Sequence, residues 1–506
     1  MKAQNSTNDH LEQLSEKAAY DSPLEFSSVC AVFSATSINK FKSRYPLDQI
    51  VGAACRAQAK TIMSGVGELL LNYKGDIIFQ GGVAHNRAVA HFLEEITGNT
   101  IIIPEHHGVM GAIGAANIAR THVGQGETFE RDAVATSSMP SIKMRRRQTV
   151  REFALRRSKG PMVWRNLFYP TEILNALGVN ILTLETYAAF FARNRERVGN
   201  ALNKAYYKGF SAETCSILRI LEGIDLPAPD FALSTSQPCV QGDRIFRDLI
   251  RSNDYDARSY ILQTPTRNDD FSVSMMAEEL RKSVYEMEKS LGLTLDMGRL
   301  KEACELSNQA REYSMDCYEL RMQHPPLIPG SVAAYFSTLF SQGWGREDMV
   351  DIQKQYRDDL LNSLDCIGER VSPEDTHRLF WLHFPPFYNS DLIETIEKTL
   401  NAPIVFEEVN YIGWDELDTD DPFPSLARKL LTSGFLDQDR RIRYLKKITT
   451  DGRINGVILY NHGFGRCTLS DPCFSRQLKE AFLDIRIPVL VLDGDCMDET
   501  IDPCST

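Results

Sequence analysis

The chain has 506 residues, 43% of them hydrophobic, enough for two to four domains that each bury a core. A formal net charge of -12 excludes nucleic acid as the main partner, because phosphate binding needs a basic surface. No run of about 18 apolar residues occurs and MKAQNSTNDHLEQLSEK lacks the apolar stretch of a secretory leader, so the expectation is a cytoplasmic chain with no membrane association.

In chain order, residues 1–122 alternate helical and strand patterns. Leu47 to Leu71 has helical apolar spacing, DIIFQ (76–80) reads as a short buried strand ended by Gly81-Gly82, Val89 to Thr97 as a helix, and TIIIP (100–104) as a second strand. Residues 123–160 are poor in large apolar side chains and carry a basic run from Lys143 to Arg157. They read as a solvated linker, or as a segment touching nucleotide or coenzyme phosphates. From 161 onward strand and helix patterns alternate again, which implies parallel sheets. DFALST (230–235) and YILQ (260–263) are expected strands closing a first lobe at 161–270. Residues 271–372 form a helical insert in which Val273, Met276, Leu280, Val284 and Met287 recur at helical spacing and Gly292 is the stop. A second lobe, 373–506, has strands at RLFWLHF (from 378), 403–407, GVILY (456–460) and IPVLVL (487–492).

Ligands of such sheets bind beyond the carboxyl ends of the strands, and SQPCVQG and NHGFGRC fall there. Eleven cysteines in a reducing compartment are buried small hydrophobes or metal ligands rather than disulfides. Cys239, near Pro238 and Gly242, and Cys467, near Gly463 and Gly465, lie in tight loops that a ligand can approach. Cys215 in KGFSAETCS stands at a loop or helix start, where the helix terminus favours a thiolate. No two of these three form a C-x-x-C pair, and widely spaced thiolates at strand ends suit an iron–sulfur cluster better than a zinc knuckle. Cys473 is an alternative to Cys467, and Cys496 reads as structural with a lesser chance of lining the site.

Five blocks follow one another in order: MVWRNLFYPTEILNALGVNILTLE (162–185), YKGFSAETCS, STSQPCVQG, YNHGFGRC and IPVLVLDGDC. Together they resemble the 2-hydroxyacyl-CoA dehydratase D-component family, which includes benzoyl-CoA reductase subunits and double-cubane cluster proteins. The resemblance covers about 161–506. It implies a [4Fe-4S] cluster, of single- or double-cubane type, held by Cys215, Cys239 and Cys467 with one iron left open for substrate. The implied reaction dehydrates a 2-hydroxyacyl-CoA to an enoyl-CoA through a ketyl radical started by ATP-driven electron transfer. Glu172 or His462 is the candidate general base. The alternatives are an ATP-dependent reductase of the double-cubane or benzoyl-CoA type, and a non-catalytic electron-relay or docking protein.

The first segment carries SSVCAVF (27–33), FQGGVAHN (79–86) and GVMGAIGAA (108–116). These resemble the ATP-dependent activases of the same dehydratases, which have an actin-like ATPase fold. The resemblance places Gly81, Gly82 and Asn86 near a nucleotide (ATP with Mg) and gives Cys30 a share in a cluster between activase subunits. A Gly/Thr-rich phosphate loop and a second cysteine loop are expected in that family and are not found, so the chain reads as a segment of a longer fused protein. The expected fold class is therefore α/β: a partial actin-like ATPase half-domain, then two doubly wound (Rossmann- or flavodoxin-like) lobes with a helical insert. The expected partners are an acyl-CoA substrate, an activase and a second dehydratase subunit, in a homo- or heterodimer.

Overall fold

Short apolar runs punctuated by glycine and proline become the strands of three parallel sheets in the computed structural model, which describes residues 15–26, 38, 40–70, 73–105, 107, 139–155, 160–336, 343–366, 377–388 and 390–501. The chain divides into two units, one of Met1–Phe129 with Cys504–Thr506 and one of Glu130–Pro503.

In the first unit, β1 (Ile77–Ile78) pairs in parallel with β2 (Ile101–Ile102), so each expected strand shortens to two residues. The helix Arg87–Thr97 starts at Asn86, whose side chain accepts from Val89 N, and stops at Gly98 in the left-handed conformation, φ 63°. Its apolar face, with Val89, Phe92 and Leu93, packs against Cys55 and Ala59 of the helix Leu47–Leu70.

The second unit holds two four-stranded sheets. The first consists of β3 (Met162–Arg165), β4 (Asn180–Thr183), β5 (Phe231–Thr235) and β6 (Arg258–Leu262), in the order β4-β3-β5-β6. The second consists of β7 (Leu379–Leu382), β8 (Ile404–Glu407), β9 (Gly456–His462) and β10 (Val489–Gly494), in the order β10-β9-β7-β8. In each sheet the first strand in sequence lies between the second and the third. The order therefore reverses there, opening a crevice beyond the carboxyl ends of β3 and β5, and of β7 and β9.

Both faces of both sheets are covered, so inner strands are apolar throughout rather than alternating. Phe231 and Leu233 face one core and Ala232 the other. Likewise Phe380 and Leu382 face one core of the second sheet and Trp381 the opposite one.

The expected insert is two long helices, Asp270–Leu291 and Met297–Arg321, separated at Gly292, whose φ of 65° terminates the first. Asp269 and Asp296 cap their starts by accepting from backbone N–H groups. A third helix, Glu347–Cys366, packs on Met297–Arg321.

The segment read as a linker is helical over Pro140–Leu155 and belongs to the second unit. Ile142 is buried in the core, and Ser141 docks the start of this helix by donating to Asp359 Oδ2 from its N (2.9 Å) and Oγ (2.5 Å). Its arginines hid this: Arg145, counted as solvated, is only 6% exposed and donates to Gln148 Oε1 at 3.1 Å. No helix among the described residues is long and apolar enough to cross a membrane.

Candidate metal centre

Three loops carry the three cysteines to one place. Cys239 comes just after β5 as the N-cap of the helix Val240–Ser252, its Sγ accepting from Gly242 N at 3.4 Å. Cys215 is the N-cap of the helix Ser216–Gly223, and its own N–H donates to Gln241 Oε1 at 3.2 Å, tying the two helix starts together. Cys467 follows β9 through a turn at Gly463–Gly465, where φ values of 62° and 80° at Gly463 and Gly465 need residues without a Cβ.

Contacts between neighbours lock the loops. Thr468 Oγ1 donates to Pro238 O at 3.2 Å, joining the Cys467 and Cys239 loops. Arg466 donates to Ala212 O at 2.8 Å and pairs with Glu213 at 3.1 Å, joining the Cys467 and Cys215 loops. Ser216 Oγ donates to Asp495 Oδ1 at 2.6 Å, drawing in the loop after β10.

Helix starts should lower a thiol's pKa, but burial outweighs that here. Burial, followed by the neighbouring Cys467 and Cys239, pushes Cys215 well above the usual thiol range. Burial likewise raises Cys239 to about 12 and Cys467 to about 11. The helix-terminus expectation is thus corrected. Cys215, Cys239 and Cys467 are half-buried thiols held protonated, and a group that takes thiolate ligands there would have to displace their protons.

Among the described residues no three His, Cys, Asp or Glu side chains stand together as they would around one ion. A single zinc, with Zn–S of about 2.3 Å, needs sulfurs within about 4 Å of one another. The donor set is all sulfur and comes from separate loops, which fits a polynuclear iron–sulfur group.

Two histidines flank the thiols. His462, the last residue of β9 and fully buried, has Nε2 at 3.2 Å from Cys215 Sγ. Its Nδ1 accepts the Cys496 N–H at 3.0 Å. Burial lowers its pKa, so the ring is neutral and the single proton sits on Nε2. Both nitrogens are committed, which removes His462 from the role of general base. His383, just past β7, has φ 70° and places Nε2 at 3.5 Å from Cys467 Sγ. The two imidazoles lie nearly parallel, centroids 5.9 Å apart.

Cys496 has no exposed surface and packs with Trp381, Ile458 and Tyr460, its Sγ 3.6 Å from Phe384 O, while Cys473 is exposed. Glu185, which the sequence reading passed over, is a further neighbour. Burial raises its pKa to about 7 against the pull of Arg165, and its Oε2 has no hydrogen-bond partner. Its signal in the sequence was a lone carboxylate in the apolar stretch NILTLETYAAFF.

A cavity of about 220 Å³ has a lining that includes Arg165, Glu172, Pro238, Trp344, Trp414 and Lys429. Pro238 is the residue before Cys239, so the cavity reaches the Cys239 loop. Glu172 is fully buried in the first turn of the helix Thr171–Leu177, where Oε1 accepts from Ser307 Oγ at 2.7 Å and from Lys429 Nζ, and Oε2 has no partner. Lys429 Nζ stands 4.6 Å from the Trp344 ring and 4.2 Å from that of Trp414, two indoles that meet edge to face. Burial lowers the Lys429 pKa, and Glu172 opposes this.

In the first unit, Gly81 has φ 93° and opens the turn Gly82–His85. Asn86 is engaged locally, accepting from Val89 N and donating to Cys55 Sγ at 3.4 Å. Cys30 and GVMGAIGAA lie outside the described residues.

The chain matches the 2-hydroxyglutaryl-CoA dehydratase D-component family over residues 166–506 and belongs to that family. It is similar to the (R)-2-hydroxyisocaproyl-CoA dehydratase alpha subunit of Clostridioides difficile, 22% identical over 173 residues. That similarity takes in 32% of this chain, which spans 42% of the length of that relative.

Proposed function

We propose that the second unit is an iron–sulfur component of a 2-hydroxyacyl-CoA dehydratase, with Cys215, Cys239 and Cys467 holding a [4Fe-4S] cluster. The observation that carries this is the gathering of three thiols from three loops, bridged by Thr468 to Pro238 and by Arg466 to Ala212, with a 220 Å³ cavity reaching the Cys239 loop at Pro238. A cluster bound there supplies one electron at a time to an acyl thioester.

The chain's own residues position and deprotonate. Trp344 and Trp414 wall the cavity with apolar surface that excludes water from the acyl chain. Glu172 Oε2, aligned by Ser307 and Lys429 at the other oxygen, is the acceptor for the substrate proton. A branched apolar acyl group like the one in the relative's name suits the aromatic lining. We place the first unit, with Gly81, Gly82, Asn86 and Cys30, as an actin-like activase segment and the ATP-dependent electron source as a partner activase.

The test is turnover of a 2-hydroxyacyl-CoA by the anaerobic chain supplied with an activase and a partner subunit. Glu172→Gln is expected to lower kcat by about 10²-fold or more with iron content unchanged. Wild-type kcat in that variant refutes the assignment of Glu172.

A further inference from the structure

We propose that His462 is a positioning residue for the metal centre, donating an Nε2–H···S hydrogen bond to Cys215 that raises the reduction potential of the cluster. The inference rests on the cluster reading above and adds to it the element that sets the potential.

Three observations support it. The Cys496 backbone N–H can only donate, so the 3.0 Å contact makes Nδ1 of His462 the acceptor and puts the ring proton on Nε2. That proton faces Cys215 Sγ at 3.2 Å. The ring has no exposed surface, so no solvent molecule replaces the donor if it is lost. Strand pairing fixes the arrangement, because His462 lies opposite Gly494 at the carboxyl end of β9 and the chain after β10 turns back to present Cys496 N to the ring.

The physical effect has a definite sign. An N–H donor to a ligating sulfur stabilises the more negative, reduced state of a cluster, so it moves the potential upward. A buried donor with no competing water exerts this in full.

The experiment is an EPR-monitored redox titration of the anaerobically purified chain, with iron analysis on each sample. His462→Leu is expected to keep its iron and shift the midpoint negative by about 59 mV, equal to a tenfold loss of preference for the reduced state in a one-electron couple. His462→Gln, whose amide keeps an N–H, is expected to stay near the wild-type value. A leucine variant with full iron and an unmoved potential overturns the inference while leaving the cluster reading intact. If the leucine variant retains no iron, the glutamine variant decides: iron at the wild-type potential supports the donor role, and a glutamine variant without iron makes His462 a ligand and overturns it. A wild-type chain without iron overturns the cluster reading and this inference with it.

Discussion

Replacing Lys429 by methionine keeps most of the stem between the two indoles and deletes the only charge that, among the described residues, pairs with the Glu172 carboxylate, which has no solvent exposure. Removing one partner of a buried ion pair costs about 3–5 kcal/mol, because the other charge stays buried without compensation. The two cation–π contacts add about 0.5–1 kcal/mol each. Ser307 continues to donate to Glu172 Oε1, which keeps the total near the lower end, about 4 kcal/mol. Urea denaturation followed by tryptophan fluorescence suits the question, since two of the four tryptophans flank Lys429. The single variant is expected to lose about 4 kcal/mol of unfolding free energy, and Lys429→Met with Glu172→Gln together to recover at least half of it, because no bare charge remains. A loss below about 1 kcal/mol in the single variant, or a double variant as unstable as the sum of the singles, refutes the reasoning.

Three further outcomes follow from the same geometry. Burial raises the folded-state pKa of Glu185 to about 7 from an ordinary value of 4.5, so its contribution to stability is full below about pH 4.5 and is lost as pH rises through 7. Glu185→Gln in the metal-free chain should therefore match wild type at pH 4 and exceed it by up to about 3 kcal/mol at pH 8, measured by denaturation at both pH values. Gly345→Ala places a Cβ 3.1 Å from Glu172 Cα and 3.2 Å from Ala303 Cβ at φ 83°, and should cost about 1–3 kcal/mol in the same assay. Asp359→Ala removes both acceptor contacts from Ser141 and should cost about 1–3 kcal/mol, seen as faster tryptic cleavage within 140–155; unchanged cleavage would restore the linker reading.

The strands of both lobes were legible because buried parallel strands are uniform apolar runs with sharp ends, as at DFALST and GVILY. Gly292 was legible as a stop because a left-handed C-cap leaves a local signature. The helix Pro140–Leu155 was not, because the pairing that buries Ser141 lies on Asp359, far along the chain. The thiols were marked by their glycine- and proline-rich loops at strand ends. Around them, the partners decided what each residue does, and partners are tertiary. Glu172 looked like a plain first-turn carboxylate until Lys429, 257 positions away, closed on it. The tautomer of His462 depends on one backbone N–H after β10, which leaves no mark in residue type.

The central claim is that Cys215, Cys239 and Cys467 together hold one cluster. Iron and acid-labile sulfide analysis of the anaerobically purified chain tests it most directly, for wild type and for each of these cysteines changed to alanine, with Cys304→Ala as the control because Cys304 is wholly buried in the helical core. The account predicts about four irons and four sulfides per chain in wild type and in the control, and loss of most of both in each of the three variants. Iron that survives all three substitutions, or a wild-type chain that binds none, would contradict it.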